Sequence, residues 1–168
     1  MTQTQAAVLA GLVALAGAWD WKWRLIPNWI TVTGVAAGLL LHSPLAALKG
    51  IGVALLVYVP LYLLRAVGGG DLKLMAAVGS IVGPDVWLVL FVLSAVLGGV
   101  AALVLVVAKG RLRRTLANVG HILGAASRAS APHAERPELD AGHPEALTLP
   151  RGTVAAAATL LYLAAQRL

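Results

Sequence analysis

Residues 86–108 read VWLVLFVLSAVLGGVAALVLVVA, a run that contains no charged side chain. A straight helix needs about 20 residues to cross the hydrocarbon core of a bilayer, and this run is long enough. The rest of the chain has the same character, since 60% of its 168 residues are hydrophobic, 12% are charged, and the mean hydropathy is +0.85. A soluble domain of this size has about 25% charged residues. The composition therefore predicts an all-α membrane protein, because helices satisfy their own backbone groups in lipid.

Working outward from this run, the sequence contains further apolar segments bounded by polar or turn-forming residues. They lie at 5–19, 27–42, 44–64, 70–83 and 150–166. If all six segments cross and the N-terminus is outside, the inner loops hold every one of the 13 Lys and Arg residues except Lys49 and Arg167. Such a bias is typical of the cytoplasmic side. It predicts six transmembrane helices, an outside N-terminus, and a multi-pass protein of the cytoplasmic (inner) membrane.

The chain is short enough for one domain, and we expect residues 1–168 to form it. Its least apolar part, residues 109–149, is predicted to be a cytoplasmic loop between the fifth and sixth helices. A tryptophan cluster near the first inner loop is typical of an interfacial aromatic anchor. Its members are Trp19, Trp21, Trp23 and Trp29.

Composition also excludes several kinds of chemistry. The chain has no Cys, so disulfides, thiolate catalysis and Cys-based zinc sites are excluded. The four His residues show none of the spacings of a metal motif. The net charge of +6 is attributed to topology rather than to a nucleic-acid partner. We therefore expect no cofactor, no metal and no nucleic acid, with the lipid bilayer as a partner.

The acidic residues are few, and two of them stand out. Of the seven, four lie in the polar loop: Glu135, Glu138, Asp140 and Glu145. Asp85 is predicted to cap the fifth helix at an outer turn. Asp20 and Asp71 remain, and the topology puts both at the same depth on the inner side. Two carboxyl groups in a partly dehydrated site do not both ionise easily, so one charged and one protonated group can activate a water molecule for peptide hydrolysis.

A structural role for these acids stays open at this point. Asp20 is one helical turn from Arg24 and suits an ion pair in headgroup water. Asp71 suits a helix N-terminus, where the macrodipole favours negative charge. The glycines before Asp71, Gly68, Gly69 and Gly70, favour the functional interpretation. They let backbone approach an extended substrate closely and take positive φ.

These residues resemble the type IV prepilin peptidases, a branch of the GxGD membrane aspartyl proteases. Gly68-x-Gly70-Asp71 matches the GxGD element and continues into Leu72-Lys73-Leu74-Met75. Upstream, Asp20 is followed by basic residues and then Ile26-Pro27-Asn28, and Pro150-x-Gly152 resembles the C-terminal element of that family. The likeness covers most of the chain.

The resemblance implies that Asp20 and Asp71 are the catalytic pair. It implies that substrate binding or backbone support comes from Gly68, Gly69, Gly70, Lys73, Pro27 and Asn28. The substrates implied are prepilin-like proteins with a short basic leader and a hydrophobic helix, cut at the cytoplasmic membrane face. The chain lacks the cysteine-containing region of larger members, so methyltransferase activity is not expected, and it is similar to the compact form of tight-adherence pili or archaeal-type preflagellins.

Two other classes of function are compatible with intramembrane acids. A small transporter or proton channel would carry ions on them, but it predicts acids near the bilayer midplane rather than at helix ends. A non-enzymatic subunit of a secretion machine would tolerate Asp→Asn changes but not disrupted helix packing.

Overall fold

The computed structural model describes residues 1–64, 66–110, 115 and 150–166, and the regular elements in these ranges are all helices. The helices are α1 (Gln3–Trp23), α2 (Asn28–Leu41), α3 (Pro44–Leu63), α4 (Gly69–Ala108) and α5 (Arg151–Ala165). The all-α prediction is thus confirmed for this part of the chain. The predicted loop 109–149 lies outside the described residues, apart from Lys109, Gly110 and Thr115.

Local sequence explains where the helices begin. The Thr2 hydroxyl accepts the N–H of Gln5 at 3.2 Å while the Gln5 side chain accepts the N–H of Thr2 at 2.8 Å, so the two residues form a capping box at the start of α1. Ser43 caps α3 in a similar way, with Pro44 in its first turn. Pro27 is the N-cap of α2, one residue earlier than the first-turn position expected from sequence.

Helix α1 is longer than its apolar run. The predicted apolar segment ends at about residue 19, with Asp20 at the inner end of its helix, and α1 continues to Trp23 and ends where Arg24 takes a left-handed backbone. Asp20 therefore lies inside the last turns of α1 rather than at its end. Hydrophobicity underestimates the length of α1 at this end, because its last turn lies at the interface and contains both charged and aromatic residues.

Helix α4 is broken at Gly83, the single residue inside it with a non-helical backbone (φ 75°, ψ 177°). The indole N–H of Trp87 donates to the carbonyl of Met75 at 2.9 Å, although the two are 12 residues apart. In a straight helix they would be about 18 Å apart. The chain therefore folds back, and residues 69–82 and 84–108 are two segments. The outer turn predicted before the fifth helix lies at this break. Helix resumes at Pro84, so Asp85 is exposed in the first turn of the second segment instead of capping that segment as predicted.

The first segment of α4 is the centre of the bundle, since every residue from Leu74 to Gly83 is buried. Glycines let the neighbouring helices approach it closely. A Cβ on Gly50 of α3 would lie 2.0 Å from the carbonyl oxygen of Gly79, and one on Gly38 of α2 would lie 2.2 Å from Ser80 Oγ. These two helices are therefore packed backbone to backbone against α4.

Among the described helices, α3 and α4 are long and apolar enough to cross a membrane. The outer surface of the bundle is strongly apolar, with Leu40, Leu56 and Leu63 each more than 70% exposed. An apolar surface of this kind is stable against lipid rather than water. The protein is thus a membrane protein by its helices, whereas the six crossings and the outside N-terminus stay predictions.

The two ends of the bundle carry different groups. At one end, the Gln5 side chain donates to the carbonyl of Leu41 at 3.1 Å, and His42 lies against Gly83, where an added Cβ would be 3.0 Å from His42 Nε2. The start of α1, the end of α2 and the break in α4 therefore share this end. The opposite end gathers the end of α1 with the starts of α2, α4 and α5.

Candidate active site

Asp20 is buried in α1, with 7% of its surface exposed. Its Oδ2 accepts the backbone N–H of Thr153 at 3.2 Å. Thr153 lies in the first turn of α5, whose N-cap residue Pro150 makes no side-chain capping bond. The first N–H groups of a helix lack partners within it. Asp20 thus supplies the missing cap from another helix, which fixes its carboxylate at the α5 N-terminus.

Small residues allow α1 and α5 to approach this closely. A Cβ on Gly152 would lie 3.0 Å from Asp20 Oδ2 and 2.9 Å from Ile26 Cδ1, and a Cβ on Gly17 would lie 2.6 Å from Ala156 Cβ. The Thr153 hydroxyl also donates to the Gly17 carbonyl at 2.9 Å. The Asp20 carboxylate therefore rests directly on backbone, without a side chain between.

Asp71 is half-buried in the first turn of α4. The backbone of Gly68, the N-cap residue, hydrogen-bonds to its carboxylate. The same carboxylate interacts electrostatically with Arg151 and with Asp20. The structure thus puts the two acids that the sequence singled out at the same end of the bundle and within range of electrostatic interaction, although three interhelical connections separate them along the chain. The pair lies at the end of the bundle away from His42 and Gly83.

The glycines before Asp71 do not use positive φ, so that expectation is wrong. Gly68 is extended (φ −79°, ψ 155°), and the positive-φ glycines among the described residues are Gly83 and Gly110. The glycines before Asp71 instead leave room for neighbouring side chains to pack against the start of α4. A Cβ on Gly70 would lie 3.3 Å from Ile26 Cβ, and one on Gly69 would lie 3.5 Å from the Tyr62 ring. The start of α4 therefore packs directly on its neighbours, and Ile26 contacts both halves of the site.

A second polar contact ties the starts of α2 and α4 together. Lys73 Nζ donates to Asn28 Oδ1 at 2.9 Å, and both side chains are exposed. Pro27 precedes Asn28 at the α2 N-cap and is half-buried. These three predicted residues therefore lie at the same end as the acids. Substrate binding or backbone support by them stays a prediction.

The sequence model of the type IV leader peptidase family matches residues 7–103. The chain belongs to the type IV leader peptidase family. The predicted resemblance is thereby confirmed, and membership indicates a peptidase of the leader-peptidase kind. The matched region contains Asp20, Asp71 and all the other predicted site residues. No curated protein and no solved structure matches this chain.

The family match ends before α5, yet α5 contributes to the site. Arg151 donates to the carbonyl of Ala66, in the connection that leads into Gly68 and Asp71. It also places a positive charge near Asp71. The sequence analysis counted Arg151 only toward topology. The sequence signal for a contribution from α5 was Pro150-x-Gly152, which marks the start of the helix whose Thr153 N–H donates to Asp20.

A further residue that the sequence analysis missed is Tyr58 of α3, a buried tyrosine that interacts electrostatically with Asp71 and Arg151. Nothing in its local sequence distinguishes it from the other apolar residues of the span. Metal binding has no comparable basis in the described residues, where no three His, Cys, Asp or Glu side chains come together. The polar groups that the structure gathers here are the two carboxyl groups, the Arg151 guanidinium and the Tyr58 hydroxyl.

Proposed function

We propose that this leader peptidase family member is a membrane-embedded aspartyl endopeptidase that removes leader peptides from prepilin-like precursors at the cytoplasmic membrane face. The observation that carries the proposal is that Asp20 and Asp71, from different helices, lie at the same end of the bundle and interact electrostatically. Both acids lie in the region that matches the family. We take residues 1–168 as one peptidase domain.

In the proposed reaction, the charged carboxylate of the pair accepts a proton from water as the water oxygen attacks the scissile carbonyl carbon. The protonated carboxyl donates to the carbonyl oxygen and stabilises the charge that develops there. The tetrahedral intermediate then collapses, the C–N bond breaks, and the leaving amine takes up the proton that the first carboxylate accepted from water, which restores the pair. The reaction consumes one water, and no covalent enzyme intermediate forms.

The surroundings of the pair support a site at the membrane interface. Trp21, Trp23 and Trp29 are each more than 50% exposed near the end of α1 and the start of α2. Lys22 lies 4.6 Å from the centre of the Trp23 ring. Tryptophan is enriched at both membrane–water interfaces, and basic residues concentrate on the cytoplasmic side. A precursor with a basic leader and a hydrophobic helix would present its junction at this depth, in keeping with six crossings and an outside N-terminus.

Cleavage of a co-expressed prepilin tests the proposal. Asp20→Asn and Asp71→Asn are each expected to lower cleavage by at least about 100-fold, because each removes one partner of the acid–base pair. Asp85→Asn is the matched control, because Asp85 is exposed next to the α4 break. This variant should cleave the prepilin at the wild-type rate. Wild-type cleavage by either active-site variant would contradict the proposal. If the wild-type protein conducted protons in proteoliposomes but did not cleave the prepilin, a channel would be supported instead.

A further inference from the structure

The connection between α1 and α2, residues 24–27, contains one buried side chain, that of Ile26. Ile26 has 6% of its surface exposed, whereas the neighbouring Leu25 has 63% exposed. Apolar side chains gain less from burial in a bundle surrounded by lipid, because lipid tails are as apolar as leucine. The burial of Ile26 therefore points to specific packing rather than to a general exclusion from solvent.

The base of Ile26 packs against the start of α4, beside Asp71. A Cβ on Gly70 would lie 3.3 Å from Ile26 Cβ and 3.6 Å from its backbone nitrogen. These two atoms do not move when the side chain changes rotamer. Gly70 directly precedes Asp71 in the first turn of α4. The backbone of the turn that carries Asp71 is therefore in contact with the base of Ile26.

The tip of Ile26 packs against the start of α5, beside Asp20. A Cβ on Gly152 would lie 2.9 Å from Ile26 Cδ1, 3.0 Å from Asp20 Oδ2 and 3.1 Å from Asp20 Cβ. The Ile26 methyl and the Asp20 carboxylate thus lie on the same face of Gly152. The next residue, Thr153, donates its N–H to the same carboxylate oxygen. The tip of Ile26 therefore limits how closely the α5 turn that holds Asp20 approaches the start of α4.

We propose that Ile26 is a positioning residue that sets the separation of Asp20 and Asp71. This inference rests on the proposed function of the acid pair. Acid–base catalysis by two carboxyl groups from separate helices requires both to reach the same water molecule and scissile bond. One side chain that packs on the turn of each acid fixes their distance. Protein interiors are close-packed and transmit strain, so the loss of one methyl group from Ile26 is felt at the acids.

A change to valine removes the atom of Ile26 that lies beside Asp20 and keeps the base that lies beside Gly70. Valine lacks Cδ1 and has the same backbone and branched Cβ. Leu25→Val is the matched control, because it also removes one carbon atom, from the exposed neighbour in the same connection. A difference between the two variants therefore reports the position of the lost methyl group.

The test is steady-state cleavage of a synthetic prepilin fragment by the purified full chain, with thermal unfolding measured in the same detergent. Ile26→Val is expected to lower kcat about 5-fold and to leave KM within about 2-fold, because a small displacement of one acid weakens the chemical step rather than binding. Its melting temperature should fall by no more than about 6 °C, as for the loss of one buried methyl group. Leu25→Val should stay within about 2-fold of wild type in both kinetic constants. An Ile26→Val variant with a kcat within about 2-fold of wild type, or with its loss in KM alone, would overturn the inference.

A compensating variant tests whether the filled space itself matters. In the Ile26→Val, Gly152→Ala double variant, the methyl group added at Gly152 lies 2.9 Å from the position that Cδ1 vacates. The start of α5 can then shift toward this space and relieve the contact with the Asp20 carboxylate. Neighbouring changes of this kind are not additive, so the double variant is expected to have a kcat at least about 2-fold above that of Gly152→Ala alone. A double variant that cleaves no faster than Gly152→Ala would refute the role of Ile26, also where Ile26→Val alone is too unstable to assay.

The same peptide separates this inference from the function on which it rests. If Asp20→Asn and Asp71→Asn leave cleavage intact, the aspartyl mechanism fails, whatever Ile26→Val does. If both abolish cleavage while Ile26→Val cleaves normally, the mechanism stands and only the role of Ile26 is wrong.

Discussion

Replacing Gly152 by alanine perturbs Asp20, one acid of the proposed catalytic pair, through a single methyl group. The added Cβ would lie 3.0 Å from Asp20 Oδ2, 3.1 Å from Asp20 Cβ and 2.9 Å from Ile26 Cδ1. Ile26 is itself buried against Gly70, so it has little room to move away. The Asp20 side chain must therefore give way, and its bond from the Thr153 N–H must lengthen or bend.

The size of the effect follows from these distances. Ordinary van der Waals contacts begin at 3.4 Å, so the carboxylate must shift by about 0.4 Å. A misplacement of about 1 Å in an active site can cost about 100-fold in rate. Gly152→Ala is therefore expected to lower kcat by about 5- to 10-fold. Alanine is also the better helix former, by about 1 kcal/mol, so folding should be largely preserved.

Single-turnover cleavage of a prepilin fragment, together with thermal unfolding in the same detergent, measures both effects. Gly11→Ala is the matched control, because an added Cβ there meets nothing within 4 Å on the helix that carries Asp20. It should remain within about 2-fold of wild type. If Gly152→Ala were as active as Gly11→Ala, the contact between α5 and the Asp20 carboxylate would have no bearing on catalysis, and the reasoning would be refuted.

Other parts of the structure give further predictions. Gly50→Ala would put a methyl group 2.0 Å from the Gly79 carbonyl oxygen, so it should destabilise the bundle by at least about 1–3 kcal/mol in thermal unfolding. Gly52→Ala is the control, because its added methyl group meets nothing within 4 Å and should not destabilise the bundle. Equal melting temperatures of the two variants would contradict the packing of α3 on α4. Arg151→Met removes the hydrogen bond to Ala66 and should lower kcat about 5-fold, with partial recovery in Arg151→Lys; a methionine variant with wild-type kinetics would show that this bond does not position Asp71. Leader cleavage should continue in excess EDTA, because the proposed reaction needs two carboxyl groups and water; loss of activity that added metal restores would contradict it.

The helices were predictable because lipid requires long apolar runs. The runs at 27–42 and 44–64 correspond closely to α2 and α3, and the turn chemistry of Gly83 located the break in α4. The end of α1 was not predictable in the same way, since its last turn belongs to the interface, where charged and aromatic residues are stable in a helix. Hydropathy has no signal for such a turn.

The position of Asp20 and Asp71 at the same end of the bundle was predictable from charge asymmetry, because the distribution of Lys and Arg indicates which helix ends share a side. The details that hold the acids were not. The Thr153 N–H reaches Asp20 across 133 residues of sequence, and such a cap is invisible to patterns that look only a few residues ahead. Positive φ was expected for the glycines before Asp71 and is not observed, because close packing and positive φ both favour glycine and the sequence does not distinguish the two.

The account depends on Asp20 and Asp71 forming one site, and the absence of native cysteine allows a direct measurement of this. In membranes that contain the Asp20→Cys, Asp71→Cys double variant, a short bifunctional maleimide is expected to link the two thiols within one chain. Each single variant should react with a membrane-impermeant maleimide from the cytoplasmic side. Labelling of the two positions from opposite sides of the bilayer, without an internal crosslink, would contradict the pairing and the peptidase mechanism built on it.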